Sequence, residues 1–150
     1  MTLTLQIADL EQRVGQELVV SPWFEVAQER IQRFAEATGD FQWIHLDTER
    51  AKHSPFGGTV AHGFLTLSML PMISDAAFTF SDSKMGVNYG LNKVRFTAPV
   101  PAGSKIRGRF TLAKLEKLDG GVQTTWAVVL EREGSDKPVM VAETISRHYR

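Results

Sequence analysis

The run from His62 to Phe80 constrains the fold more than any other part of the chain. Leu65, Leu67, Met69, Leu70, Met72, Ile73, Ala76 and Ala77 follow one another at spacings that leave a helix only a thin polar face. A helix that is apolar nearly all round must be buried nearly all round. The rest of the chain therefore has to enclose it. Pro71 removes one internal hydrogen bond and predicts a bend. Between Phe64 and Phe80, polar or helix-breaking residues (Thr66, Ser68, Pro71, Ser74, Asp75 and Thr79) make the run too polar and slightly too short for a bilayer span, so no membrane is expected.

The second half of the chain supplies the enclosure. Lys93 to Phe96 begins a strand that Pro99 and Pro101 end. Ile106, Phe110 and Leu112 alternate, then the apolar phase slips to Leu115, which predicts a bulge. Asp119-Gly120-Gly121 reads as a hairpin turn. Val122, Thr124, Trp126, Val128 and Leu130 then share one strand face, and Gly134-Ser135-Asp136 turns the chain again. Val139, Val141, Ile145 and Tyr149 alternate along the last strand. The opposite strand faces carry Ala127, Val129, Met140 and Ala142, a second semi-apolar surface that predicts a homodimer.

The first half is helical. A short helix is expected over Ile7–Arg13, closed by Gly15, and another over Gln28–Thr38, closed by Gly39. Asp47 is placed to cap a short helix through about His53, and Ser54 to Thr59 reads as a loop. The expected class is α+β: an antiparallel sheet curled around a long central helix, in one domain over residues 1–150.

Composition narrows the function. A chain of 150 residues buries roughly 68–70% of its unfolded surface and needs no metal or disulfide staple. There is no cysteine, which excludes a thiol nucleophile and thiolate metal sites. Seventeen basic residues balance seventeen acidic ones, so a domain-wide basic footprint for nucleic acid is missing. The segment Met1 to Asp9 has neither a basic nor an apolar signal region, and a cytoplasmic protein is expected.

Chemistry concentrates in Ala37-Thr38-Gly39-Asp40-Phe41-Gln42-Trp43-Ile44-His45-Leu46-Asp47. Asp40 and His45 lie five apart on irregular backbone beside Phe41, Trp43 and Ile44. A carboxyl and an imidazole that converge where water is scarce can share a proton and position a water molecule. On spacing alone the bland pair is the favoured reading, with Asp40 capping a turn and His45 a satisfied half-buried histidine. In Ala61-His62-Gly63-Phe64, Gly63 falls at the start of the buried helix, where N–H groups are free and a ligand carbonyl can come close. The same glycine also fits a purely steric need. His62 caps or orients. Asp40, His45 and Asp47 match no standard metal spacing, and no metal or other cofactor is expected. There is no nucleophile elbow, dinucleotide fingerprint or P-loop. His53 and His148 read as surface or strand residues, and Met69, Met72 and Met85 as core filling. Lys93, Arg95, Arg107 and Arg109 read as a solvated strand face.

These two segments, with Asn88-Tyr89-Gly90-Leu91-Asn92-Lys93-Val94-Arg95-Phe96 and Pro99-Val100-Pro101-Ala102-Gly103, resemble the MaoC-like, (R)-specific enoyl-CoA hydratase family, and its NodN-like branch in particular. The similarity runs from about Val20 to the C-terminus. One departure stands out: the broader family has Asn-Pro where this chain has Gln42-Trp43. The resemblance implies a hot-dog fold with two units side by side. It also implies an Asp40–His45 dyad that adds water to a trans-2-enoyl-CoA to give the (R)-3-hydroxyacyl-CoA. Gly63 would offer its N–H to the thioester carbonyl. Phe41, Trp43, Phe56, Phe64 and Leu67 would line an apolar acyl tunnel, with His62, Asn88 and Tyr89 bordering the substrate. Competing readings are an acyl-CoA thioesterase on the same fold and a non-catalytic acyl-binding module.

Overall fold

The computed structural model describes residues 1–150. Its largest element is a six-stranded sheet. Strands β5 (Met85–Arg95), β6 (Ser104–Leu118), β7 (Gly121–Arg132) and β8 (Met140–Tyr149) carry most of it. The short β2 (Glu17–Val20) and β3 (Phe24–Val26) both pair with β6, and the order across the sheet is β2-β6-β7-β8-β5. All its pairings are antiparallel. A separate two-stranded parallel pair joins β1 (Leu3–Leu5) to β4 (Phe78–Phe80).

The central segment lies against the inner face of this sheet. It is two helices, α4 (Gly63–Ser68) and α5 (Leu70–Ala77), rather than one bent helix reaching Phe80. The expected bend falls at Met69, which stays right-handed helical between them, because Pro71 in the first turn of α5 has no N–H to continue the ladder. Phe78–Phe80 leaves the helix because Phe78 and Phe80 flank Thr79 with strand periodicity. Phe78 stacks on Trp126 at 4.7 Å between ring centroids. Burial is also one-sided. Leu65, Met69, Leu70, Ile73 and Ala77 are buried with Phe110, Trp126 and Val128 of the sheet. Phe64 remains 69% exposed, and Leu67 and Met72 are half-buried. The result is the hot-dog arrangement that the resemblance implies.

The alternation in β6 and β7 is as expected. The register of β6 against β7 slips between Leu112 and Lys114, where the apolar phase changes. The inner face of β7, Val122 to Leu130 by twos, is buried throughout. The phase of β8 is reversed from expectation. Met140 and Ala142 pair with Leu130 and Val128 and join the core, so Val141 and Ile145 face outward with Ala127 and Val129. The reason is that Val139 and Met140 are consecutive and both buried, so alternation restarts at Met140. Strand β5 begins at Met85, eight residues before Lys93. Its Gly86, Asn88, Gly90 and Asn92 have little strand propensity, and pairing with β8 holds it instead. Met85 is exposed there and fills no core.

In the first half, a 3-10 helix covers Ile7–Arg13, and α1 covers Gln28–Thr38. Two one-turn helices follow, α2 (Trp43–Leu46) and α3 (Thr48–Ala51). The Asp47 carboxylate accepts from the Arg50 N–H at 3.0 Å, as a cap should, but the helix it starts stops at Ala51. Of the four basic residues read as a solvated face, Arg107 and Arg109 pair with Glu131, and Lys93 lies 3.8 Å from Glu143.

Candidate active site

Helix α1 ends because Gly39 takes φ 84° and returns its N–H to Ala35 at 2.8 Å. A side chain is strained at that φ, so glycine is the natural residue there. The chain then leaves the helix axis and places Asp40 at the surface. One Asp40 carboxylate oxygen accepts from the Gln42 N–H at 3.3 Å. Helix α2 carries His45 back inward, to 6% exposure.

His45 is held on two sides. Its Nδ1 lies 2.6 Å from the Val60 carbonyl. A carbonyl only accepts, so Nδ1 carries the proton and Nε2 presents a lone pair. The backbone carbonyl of His45 accepts from the Gln28 amide at 2.8 Å, and the other end of that amide accepts from the Thr59 hydroxyl. Nothing in the sequence marks Gln28, Thr59 or Val60 for this role. Gln28 contributes two long-range side-chain bonds, Thr59 one of these from its hydroxyl, and Val60 a backbone carbonyl. Burial lowers the His45 pKa below its usual 6.5; the Val60 bond and the Asp40 charge pull it partly back, against His62.

His62, expected to cap or orient and to border the substrate, is packed tightly against His45. It is 3% exposed and stacks between Phe34 at 5.0 Å and His45 at 3.8 Å. Its Nε2–H donates to the Asp40 backbone carbonyl at 3.0 Å, while Nδ1 is buried with no partner. It makes no side-chain cap for α4; its ring packs on His45 and its Nε2–H holds the Asp40 backbone. The His45–His62 stack also joins the two sequence segments, because Gly63 directly follows His62. The N–H of Gly63 stands in the first turn of α4, where no intrahelical acceptor exists. A Cβ on Gly63 would sit 2.8 Å from the Phe96 ring, so a side chain here requires that ring to move.

Ligand atoms of Asp40, His45 and His62 lie within 4.8 Å of one another. This is closer than the spacing alone could establish, yet Asp40 and His45 share no direct hydrogen bond and Asp40 is exposed. The pair meets with one wet side rather than in a dry cleft. As a metal tripod the group is poorly formed. The two imidazoles stack 24° from parallel, so their in-plane lone pairs run side by side instead of converging.

The aromatic residues named for an enclosed tunnel stand elsewhere. Phe41, Phe56 and Phe64 are exposed, and Trp43 lies under the Arg50 guanidinium at 4.0 Å. Phe64 meets the Phe96 ring edge-on, 6.2 Å between centroids. Leu67, Asn88 and Tyr89 do line a common cavity of about 750 Å³, which begins one helical turn beyond Gly63.

Comparison with known proteins agrees with the fold and gives the family. The family described as MaoC like domain matches residues 9–133. The chain is 49% identical over 143 residues to the 3-hydroxyacyl-thioester dehydratase Z of Mycobacterium tuberculosis, covering 95% of each. It is 45% identical over 145 residues to the nodulation protein N of Rhizobium leguminosarum bv. viciae, covering 95% of this chain and 90% of that one. The structure of a MaoC-like dehydratase from Rhodospirillum rubrum superposes with a TM-score of 0.76 at 22% identity, covering 97% of both chains.

Proposed function

The chain belongs to the MaoC-like dehydratase domain family, and on that premise we propose that it is a hydro-lyase interconverting trans-2-enoyl and (R)-3-hydroxyacyl thioesters, with acyl-CoA as substrate. The relatives named above include a 3-hydroxyacyl-thioester dehydratase, which acts on this substrate class. The observation that carries the reading is the free Nε2 lone pair of a neutral, buried His45 within reach of the Asp40 carboxylate, beside the unused N–H of Gly63.

In the hydration direction, a water lies between Asp40 and His45. Its oxygen adds to C3 while one of its protons passes to Nε2 of His45, and Asp40 accepts a hydrogen bond from the other. The C2–C3 π electrons move toward the thioester carbonyl, whose oxygen gains negative charge and accepts from the Gly63 N–H. The imidazolium then returns its proton at C2, so the two hydrogens and the oxygen of water are all accounted for. Dehydration is the reverse. Donors placed for charge that develops only in the transition state accelerate the step rather than merely tighten binding. The acyl chain leaves the site along α4 toward Leu67.

The same reading takes the protein as a homodimer. Strand β5 is a sheet edge of 11 residues whose Met85, Val87, Tyr89 and Leu91 are all exposed. An exposed apolar edge is a template for a second strand. Light scattering at micromolar concentration is expected to return twice the chain mass; a monomer mass would remove this part.

The assay is crotonyl-CoA in water. The expected result is loss of enoyl absorbance with no free thiol. Release of free CoA would replace this reading with the thioesterase. Unchanged turnover in Asp40→Asn would remove the dyad.

A further inference from the structure

The cavity beyond Gly63 is not uniformly apolar. Leu67 stands about 6 Å along the helix from Gly63 at 1.5 Å per residue, and the walls mix apolar residues such as Leu70, Phe78 and Leu91 with polar ones such as Ser74, Asn88 and Thr144. Ser146 and His148 of β8 belong to the same lining. Behind them a chain of hydrogen bonds runs through the sheet. Trp126 Nε1 donates to the Thr124 hydroxyl at 3.0 Å, the Thr124 and Ser146 hydroxyls lie 2.9 Å apart, and Ser146 lies 3.2 Å from His148 Nε2.

The chain has a direction. Trp126 can only donate, so the Thr124 oxygen accepts and its own proton must go elsewhere. The Ser146 hydroxyl at 2.9 Å is a far better acceptor than the Ser146 carbonyl at 3.4 Å. Ser146 then donates to Nε2 of His148, which leaves Nδ1 as an N–H donor that makes no bond to the protein. The space against Nδ1 is kept open by Gly86 of β5, since a Cβ there would lie 3.3 Å from Nδ1 and Cε1. Thr124 is fully buried and Trp126 is 3% exposed, so the relay is rigid at its base. Burial alone holds His148 below its usual pKa, which keeps the ring neutral and Nδ1–H a neutral donor. A pocket built only for a hydrocarbon tail gains nothing from such a donor, whereas a ligand oxygen in the cavity gains a partner held in place by the relay.

We propose that this cavity receives an acyl chain bearing an oxygen function on its distal part, a hydroxyl or keto group that accepts from Nδ1 of His148, so that His148 is a specificity-determining residue held by Ser146 and Thr124. The proposal rests on the acyl-thioester reading above and adds to it the chemical class of the chain.

The test is equilibrium binding by calorimetry. The ligands are decanoyl-CoA and a series of decanoyl-CoAs each hydroxylated once along the distal half of the chain. The intact protein is expected to bind at least one hydroxylated isomer about fivefold more tightly than decanoyl-CoA, the size of one neutral hydrogen bond. His148→Phe keeps the ring contact with Phe80 and removes the donor; Gly86→Ala keeps the donor and blocks the space before it. Each is expected to bring the ratio to about one, and Gly86→Ala decides the matter if His148→Phe does not fold. No preference in the intact protein, or a preference that survives both variants, overturns the proposal while crotonyl-CoA hydration still supports the enzyme reading. Absence of both decanoyl-CoA binding and crotonyl-CoA hydration overturns the two together.

Discussion

His45 is buried and His148, on β8, is half-buried, and their surroundings differ instructively. Burial lowers the pKa of both. At His45 the effect is opposed by a carbonyl on Nδ1 and a carboxylate nearby, so the ring is oriented and still able to take a proton. At His148 nothing opposes it, and the ring is tied at Nε2 to a chain of hydroxyls. The first environment suits proton transfer; the second suits hydrogen bonding by a ring that stays neutral. Residue type does not separate these roles. The partners on the second nitrogen do.

The largest effect expected from breaking this contrast is at the dyad. Asp40→Asn and His45→Ala should each lower kcat/KM for crotonyl-CoA by about 10²–10⁴-fold, the range for lost acid–base catalysis, with the far-ultraviolet spectrum unchanged. Next is Gly63→Ala. Its methyl meets the Phe96 ring at 2.8 Å, and overpacking of that kind costs about 1–3 kcal/mol, read as a lower urea midpoint. Ser146→Ala interrupts the chain behind His148 and should cost about 0.5–1.5 kcal/mol in the same measurement.

The smallest effect sharpens the comparison by pH. Both histidines have native pKa values below the ordinary 6.5, so the unfolded chain binds more protons in mild acid. Stability should therefore fall as pH drops below about 6.5 and continue falling through the native pKa values. His148→Phe removes its share and should flatten that limb in urea titrations. An unchanged limb would show that His148 is as easily protonated when folded as when unfolded.

Much of the architecture was legible in the residues. The slip at Leu112–Leu115, the turn at Asp119-Gly120 and the glycine stop at Gly39 each depend on neighbours in the chain. The phase of β8 and the start of β5 were not legible, because each is set by a partner strand. The site divides the same way. Asp40, His45 and Gly63 stand out by spacing. The ring of His62 over His45, the amide of Gln28 under it, and the end-to-end relay from Trp126 to His148 join residues up to 22 positions apart.

By itself, then, the amino-acid order determined that a largely apolar helical segment must be enclosed by a sheet and that a carboxylate and an imidazole flank its start. Local spacing and hydrophobic period carry that information. Only the tertiary structure decided which nitrogen of His45 and of His148 is free, that Asp40 stays wet, and that Ser146 and His148 line the cavity. Those properties depend on hydrogen-bond partners and solvent access supplied by distant strands, and no local pattern encodes them.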